Sequence, residues 1–583
     1  MRTASRLFTG LALCAFFAAP LSPPHLARAQ DVAPEAATGH IRKTAVSATR
    51  FMISAANPLA AQAGFAALKD GGSAVDAMVA TQMVLGLVEP QSSGLGGGAF
   101  LVYHDSASGA LTTLDGRETA PMAATPDLFV KPDGTAMKFF EGVVGGRSVG
   151  TPGTLKLMFE AHQRYGKLTW ARLLQPAIDL AQEGFEISPR LAQLIAKDQE
   201  RLGTYPDTQA YFFDADGAPL KAGSILKNPA YANTLRLIAD QGPDVFYKGE
   251  IARDIVAAVR GAQDNPGLLS EADLASYRVI ERAPVCVTYR AHNVCGMGPP
   301  SSGALTVGQI LGMLEHFDIP QPIAQNHHLI AEASRLAFSD RGLYMADSDF
   351  VAMPEGLLDP TYLKARAALI DPGRAANTVE AGTPPWQNAQ TRTPDNAIEF
   401  PSTSHMSIVD GDGNAVSLTT TIENGFGSRV MARGFLLNNE LTDFSFVPEK
   451  DGAPVANRVE PGKRPRSSMS PTIVYGPDGK LKMVVGSPGG SRIIGYVTQT
   501  IIGVLDWNLD VQAAISLPHV IKRFKTVDIE TGPGAKALST VLTTMGHDTK
   551  IRNLNSGIHA IVISDKGLVG GADPRREGIV LGE

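Results

Sequence analysis

The sequence is short of cysteine. Three occur in 583 residues, and one of them, Cys14, lies in the apolar start of the chain. Two remaining cysteines cannot make a disulfide-stapled scaffold. Nor do Cys286 and Cys295, with only His292 as a further ligand candidate, make a zinc site. The sequence also lacks an excess of charge. Its 52 Lys and Arg stand against 58 Asp and Glu, a net −6, mixed along the chain with no basic stripe. Nucleic acid and other polyanions are thereby excluded as partners. Beyond Gln30 no apolar run is long and charge-free enough to cross a bilayer, so no membrane span is expected. The length exceeds one compact core, which predicts two domains or one large α/β unit.

The start reads as a signal peptide covering residues 1–29. Arg2 and Arg6 precede an apolar run at 7–21, and Ala27-Arg28-Ala29 fits a small-x-small cleavage site before Gln30. Leu13 is too large to make Cys14 a lipoprotein cysteine. The mature protein is expected in the periplasm or outside the cell, where a disulfide between Cys286 and Cys295 is the favoured reading. Residues 284–294 read as a hairpin. With Arg290-Ala291 as a two-residue turn, Tyr289 pairs with His292 and Cys286 falls opposite Cys295 at a non-hydrogen-bonded pair, where side chains lie closest. Two free buried thiols are the alternative. Thiol labelling of the unfolded, unreduced protein should find neither cysteine reactive; two reactive thiols would contradict the bridge.

Residues 57–69 read as a helix, with Pro58 in its first turn and Gly71-Gly72 beyond its end. Ser73 caps a second, strongly apolar helix at 74–88, which should be buried. Residues 90–98 form a glycine-rich loop. It follows a helix and precedes a strand at 99–103, the reverse of a phosphate loop, so close backbone packing is favoured over nucleotide binding. A strand at 111–114 leads to Arg117, placed to hold a carboxylate through two N–H groups unless it is a plain surface arginine. Apolar spacing predicts helices at 154–165, 169–183, 190–201, 228–241 and 248–261, inside a mostly helical stretch from 151 to 380. Residues 298–303 open another helix. Residues 353–400 are polar, Pro-rich and poorly periodic, and read as a linker. Further on, Glu440 and Asp443 stand three apart. After Ser467-Ser468, a strand runs into Gly489-Gly490 before a helix at 494–506. Backbone N–H groups at such a turn can form an oxyanion hole.

Residues 401–421 read as a buried hairpin. Met406, Ile408, Ala415, Val416 and Leu418 flank the turn signal Asp410-Gly411-Asp412-Gly413-Asn414. The first strand opens on Ser402, Thr403, Ser404 and His405. A Thr hydroxyl is a weak nucleophile without a base beside it. A cut just before Thr403 would supply one, the freed α-amine, which titrates at about pH 8. Otherwise Thr403 is a threonine serving only the strand.

Taken together, these motifs resemble the gamma-glutamyltranspeptidases over nearly all of the mature length. The matching stretches begin at Gly72-Ser-Ala-Val-Asp-Ala and Leu95-Gly-Gly-Gly. They continue through Gly116-Arg-Glu-Thr-Ala-Pro, Gly150-Thr-Pro-Gly-Thr, Pro300-Ser-Ser-Gly and Thr403-Ser-His-Met-Ser-Ile-Val-Asp. Leu437-Asn-Asn-Glu-Leu-Thr-Asp-Phe, Ser467-Ser-Met-Ser-Pro-Thr and Gly486-Ser-Pro-Gly-Gly-Ser-Arg-Ile complete the set. The resemblance implies an α+β N-terminal-nucleophile hydrolase fold, an αββα sandwich of two mainly antiparallel sheets between helical layers. It implies self-cleavage between Ser402 and Thr403, giving a large subunit, 30–402, and a small subunit, 403–583, that stay together. Thr403 then accepts the γ-glutamyl group of glutathione or a related amide and passes it to water or an acceptor amine. Thr421 matches the threonine bonded to the nucleophile, and Gly489 and Gly490 match the oxyanion-hole amides. Arg117, Ser467 and Ser468 match the groups that bind the donor's α-carboxylate, and Glu440 and Asp443 those that bind its α-ammonium. No metal or organic cofactor is implied. A related acylase, taking a group such as a glutaryl side chain, is the alternative.

Two departures stand out. The segment from Asp443 to Arg464 is short and has no tyrosine. Glu423 stands where the family usually has Asn. On the sequence, Glu423 faces the donor's charged end and repels the α-carboxylate, for which Arg117 is the one formal cation. Glu423→Asn is then expected to raise kcat/KM several-fold, unless Glu423 points to solvent or pairs with Arg429.

Overall fold

The computed structural model describes residues 39–583 apart from 388, 389, 396, 398 and 401, and Ala37 besides. The expected signal peptide, residues 1–29, and Cys14 lie outside the described residues. Two seven-stranded antiparallel sheets are stacked face to face. The first runs in the order Ile579–Gly582, Met52–Ala55, Thr403–Val409, Ala415–Thr421, Gly98–His104, Leu111–Gly116, Ile280–Arg282. The second runs Val46–Ala48, Gly567–Ala572, His559–Ser564, Leu481–Gly486, Thr472–Tyr475, His292–Gly296, Val285–Tyr289. Each sheet mixes strands from both sides of the Ser402–Thr403 bond. Two pieces cut there would share both sheets and could not part without opening them.

Helices cover both outer faces, which gives the four-layer αββα order. On the first sheet, Ile53, Ala55, Met406, Ile408, Val416 and Leu418 point into a core shared with helices Pro58–Lys69, Ala74–Val88 and Trp170–Glu183. Every residue of Ala74–Val88 is buried, as an all-round apolar helix requires. Ser73 and Asp76 cap it reciprocally, so its first N–H groups are satisfied inside the core. On the second sheet, Val294, Ile473, Met483 and Ile561 share a core with helices Gly303–Leu314 and Ile493–Leu505.

Between the sheets the packing is polar in part. His405 Nδ1 lies 2.9 Å from Thr419 Oγ1, its Nε2 lies 3.1 Å from Ser407 Oγ, and Ser54 Oγ lies 2.8 Å from His559 Nδ1. A Cβ on Gly486 would meet the His405 ring at 2.2 Å, so the strand carries glycine where the ring crosses. Burial drives the His405 imidazole down to about 3, so it stays neutral at working pH. Its place is between the sheets, where its ring nitrogens meet the Thr419 and Ser407 hydroxyls.

Several elements differ from the sequence reading. The helix expected over 190–201 divides into Pro189–Lys197 and Gln199–Leu202 at Asp198, whose carboxylate accepts from Arg201 at 2.7 Å and from Arg429 at 2.8 Å. Ala324–Tyr344, a helix of 21 residues, had no clear period because His327, His328, Glu332, Asp340 and Arg341 are buried along it. The stretch read as a linker holds the helix Pro360–Ala367, capped by Asp359, and its later part is pinned by buried carboxylates. The hairpin Val285–Tyr289 and His292–Gly296 turns at Arg290 and Ala291, both at positive φ, the two-residue turn suited to the twist of a hairpin. Cys286 faces Cys295 across it, and the two sulfurs are bonded.

Candidate active site

Thr403 is the first residue of its strand and is paired with Thr421, the last residue of the next. That register sets the two hydroxyls side by side, with Thr403 Oγ1 donating to Thr421 Oγ1 at 3.2 Å. Thr421 Oγ1 donates in turn to the Ser402 carbonyl at 2.9 Å and accepts from the Glu423 N–H at 2.8 Å. The carbonyl ahead of Thr403 is therefore polarised by the hydroxyl that also orients the nucleophile. Ser402 Oγ is tied to the Gln91 carbonyl at 2.6 Å, which fixes the peptide from its other side. The Thr403 carbonyl accepts from Arg576 at 3.2 Å.

Thr403 and Thr421 open on a small pocket of about 20 Å³. Of the residues singled out in the sequence, Arg117, Glu423, Glu440, Asp443, Ser467, Ser468 and Gly490 also line it. Gly489 does not. It sits one residue back, at φ 138°, where a Cβ would strike the Tyr496 ring at 2.7 Å. Gly490 has φ 58° and begins the short turn leading into helix Ile493–Leu505, so its N–H group stands at a helix start.

One wall is acidic. Arg117 is buried, with Nη1 paired to Glu440, Nη2 2.5 Å from Asp443, and Nε donating to the Pro465 carbonyl at 3.2 Å. Glu118 lies against Glu440; burial first, and the Glu440 charge second, hold its carboxyl well above the usual range. Glu423 is also buried. Burial, then Asp443 and Glu440, raise its carboxyl well above the ordinary value, while Asn439 and the Phe400 N–H at 3.2 Å bond to it. Arg429 does not pair with Glu423: it donates to Asp198 and, at 2.8 Å, to Asn424. Four carboxyl groups thus crowd one guanidinium, and burial keeps protons on them until a cation from outside favours the charged form. Glu423 stands at φ 75°, a conformation that Asn adopts with less strain than Glu.

The opposite wall is cationic, and the sequence reading missed it. Arg341, buried on helix Ala324–Tyr344, donates from Nη2 to Ser468 Oγ at 2.7 Å and from Nε to Ser302 Oγ at 2.8 Å. Arg466 lies beside it. Both hold carboxylates of the supposed linker: Arg341 pairs with Glu399, and Arg466 binds Asp395 at 2.8 Å and reaches Glu399 at 3.6 Å. Glu399 also accepts from Ser468 Oγ. Burial opposes ionisation of Glu399, but Arg341 and Arg466 outweigh it and hold the carboxyl below its ordinary value. The expectation that Glu423 repels the donor's carboxylate assumed one cation, Arg117. Two further guanidinium groups on this wall and the N–H bonded to Glu423 weigh against that expectation. No local pattern marked Arg341: its helix carries many polar residues, and its partner lies 58 residues away.

Comparison with known proteins places this geometry in a family. The gamma-glutamyltranspeptidase family model matches residues 60–583. The glutathione hydrolase proenzyme of Bacillus subtilis (strain 168) is 37% identical over 547 residues, covering 91% of each chain. The acylase ACY 1 proenzyme of Pseudomonas sp. (strain SE83) is 33% identical over 556 residues, covering 92% of this chain and 94% of its own. Among solved structures, the cephalosporin acylase from Bacillus halodurans superposes with a TM-score of 0.81 at 28% identity, covering 98% of this chain and 99% of that one. The gamma-glutamyltranspeptidase of Helicobacter pylori gives a TM-score of 0.55 at 34% identity, covering 59% of this chain and 97% of that one. The chain belongs to the gamma-glutamyltranspeptidase family.

Proposed function

We propose that the protein is a self-processing γ-glutamyl hydrolase and transferase. The observation that carries this is the Thr403–Thr421–Ser402 hydrogen-bond chain opening on a pocket with one acidic and one cationic wall. In the precursor, the Thr403 hydroxyl attacks the Ser402 carbonyl, which the Thr421 hydroxyl polarises. The amide becomes an ester, and water releases Ser402 as the C-terminus of the large subunit. The α-amine of Thr403, now free, serves as base for its own hydroxyl. A γ-glutamyl amide then acylates Thr403. The Gly490 N–H, at its helix start, stabilises the oxyanion, and the amine leaves with the proton. Water or an acceptor amine takes the acyl group from Thr403. The sequence at 1–29 supports export, and with it a donor and acceptor met outside the cytoplasm.

A glutaryl donor needs only the cationic wall. The acidic wall of Glu423, Glu440 and Asp443 finds a task only in a donor that carries an ammonium, and this favours the γ-glutamyl reading. Purified processed protein given glutathione should release glutamate, and adding glycylglycine should divert part of the acyl group into γ-glutamyl-glycylglycine. Intact glutathione together with hydrolysis of a glutaryl anilide would overturn the reading.

Glu423 gives a sharper test. Its Oε1 accepts the Phe400 N–H where a donor's ammonium would lie. Glu423→Asn should therefore lower kcat/KM for a γ-glutamyl anilide by about fivefold, since a bound ammonium draws the proton off the Glu423 carboxyl and Asn can answer it only with a neutral hydrogen bond. The positive φ suits Asn, so folding should not suffer. A glutaryl anilide, lacking the ammonium, should not lose rate. A rise with the γ-glutamyl anilide would restore the repulsion argument.

A further inference from the structure

Beyond the Gly490 turn three guanidinium groups gather at one carboxylate. Arg492 ends the turn and gives Nε and Nη2 to Asp528 Oδ2, at 3.0 and 2.7 Å. Arg552 Nε faces the other oxygen, Oδ1, at 3.2 Å. Both oxygens of Asp528 are thereby taken, and Arg523 Nη2 is left 3.9 Å away, too far for a hydrogen bond. Glu530, on the same strand as Asp528, is spent on Arg575. Arg523 Nη1 donates to Ser491 Oγ at 2.6 Å, its one hydrogen bond among the described residues. A tenth of its side chain stays exposed. Burial first, and the Arg492 charge second, push its guanidinium down to about 9, still cationic at neutral pH. A cation nine-tenths buried, with N–H groups unspent, is a costly state that a bound anion relieves.

Its place says which anion. Arg523 does not line the Thr403 pocket, whose acidic and cationic walls suffice for the donor's two charged ends. Ser491, which it holds, is the residue after Gly490, whose N–H is assigned above to the oxyanion. A further cation past this turn is placed for the other reactant, the amine that leaves or accepts. We propose that Arg523, held by Ser491, binds the C-terminal carboxylate of a short peptide whose amine leaves or takes the acyl group. The inference rests on reading Thr403 as the residue that carries the acyl group, and adds to it the recognition of the amine. Length supports a dipeptide. Consecutive Cα atoms lie about 3.8 Å apart, and an extended dipeptide spans about 7 Å. Joined by its amine to the reacting carbonyl, it is long enough to pass Gly490 and meet a group held on Ser491. A single amino acid extends about half as far. Leaving and accepting peptides use the same anchor, since one step is the reverse of the other. In the uncut chain the Glu399 and Phe400 carbonyls stand against Gly490, where a Cβ would lie 2.8 Å from each, so the anchor is tested in processed protein.

The test compares two donors that differ only at the C-terminus, γ-glutamyl-glycylglycine and γ-glutamyl-glycylglycinamide. Wild type should favour the acid over the amide by about tenfold in kcat/KM, the scale of one charge-assisted contact. Arg523→Gln should bring that ratio close to one, and Arg523→Lys, which keeps the cation, should retain part of it. Equal use of the two donors by wild type would overturn the anchor. So would an unchanged ratio in Arg523→Gln with both rates falling together, which would make Arg523 merely structural. If Arg523→Gln does not mature, Ser491→Ala, which releases the guanidinium from its holder, should lower the ratio instead, and an unchanged ratio again overturns the proposal. If the enzyme takes glutaryl and not γ-glutamyl groups, glutaryl-glycylglycine and its amide replace the pair. The anchor is then judged apart from the γ-glutamyl reading.

Discussion

Thr403→Ala should leave the chain in one piece and without activity. Wild type, once mature, should run on a denaturing gel as two bands, and the variant as one. On the proposed mechanism, one hydroxyl attacks the Ser402 carbonyl in the precursor and the donor carbonyl in the mature enzyme. Nothing else hydrogen-bonded at this end of the strand replaces it, since Thr421 Oγ1 already donates to the Ser402 carbonyl and His405 faces the other sheet. The residual rate with a γ-glutamyl anilide should be lower by a factor of about 10⁴ or more, the usual scale for removing a covalent nucleophile. Thr403→Ser keeps the hydroxyl and should still cut. A Thr403→Ala chain that splits at this bond would rule out the mechanism.

Arg117→Ala should be the most damaging change on the acidic wall. It strips the cation from Glu440 and Asp443, both buried, and breaking such a pair by removing one partner costs about 3–5 kcal/mol. The loss depends on pH, and its sign follows from the carboxyls. Burial raises both Glu440 and Asp443 above their ordinary values even with Arg117 present, and its removal raises them further. A carboxyl whose folded value exceeds its unfolded one keeps a proton that the unfolded chain has lost. Stability then falls as pH rises above the unfolded value of about 4. The variant's melting temperature should therefore lie close to wild type at about pH 5 and well below it at about pH 8. A gap of equal size at both pH values would contradict this account of the wall. Turnover of a γ-glutamyl anilide should drop at least about a hundredfold, because the proposed ammonium site loses its shape.

Much of this architecture was legible because short-range chemistry specified it. The turn at Asp410–Asn414 fixes the register of the nucleophile hairpin, and that register puts Thr403 opposite Thr421. Counting outward from Arg290-Ala291 put Cys286 opposite Cys295. The glycine turn, Arg117 and the Glu440/Asp443 pair each lie in a compact motif, and the fold gathers nearly all of them into one pocket. What stayed hidden has a common cause. The stretch before Thr403 looked like a linker because it has no apolar period, yet its later part is ordered by ion pairs. Asp395 is held by Arg466 and Glu399 by Arg341, over long sequence separations that no local pattern records. The same pairs supplied the cations that the sequence reading of Glu423 lacked. Helix Ala324–Tyr344 escaped notice because it buries His327, His328, Glu332, Asp340 and Arg341 along its length.

The most direct measurement is the intact mass of acid-quenched enzyme during turnover of a γ-glutamyl donor. The fragment that begins at Thr403 should carry one γ-glutamyl group, and peptide mapping should place it on Thr403 itself. An unmodified small fragment at saturating donor and linear turnover, or an adduct on any other residue, would contradict the account.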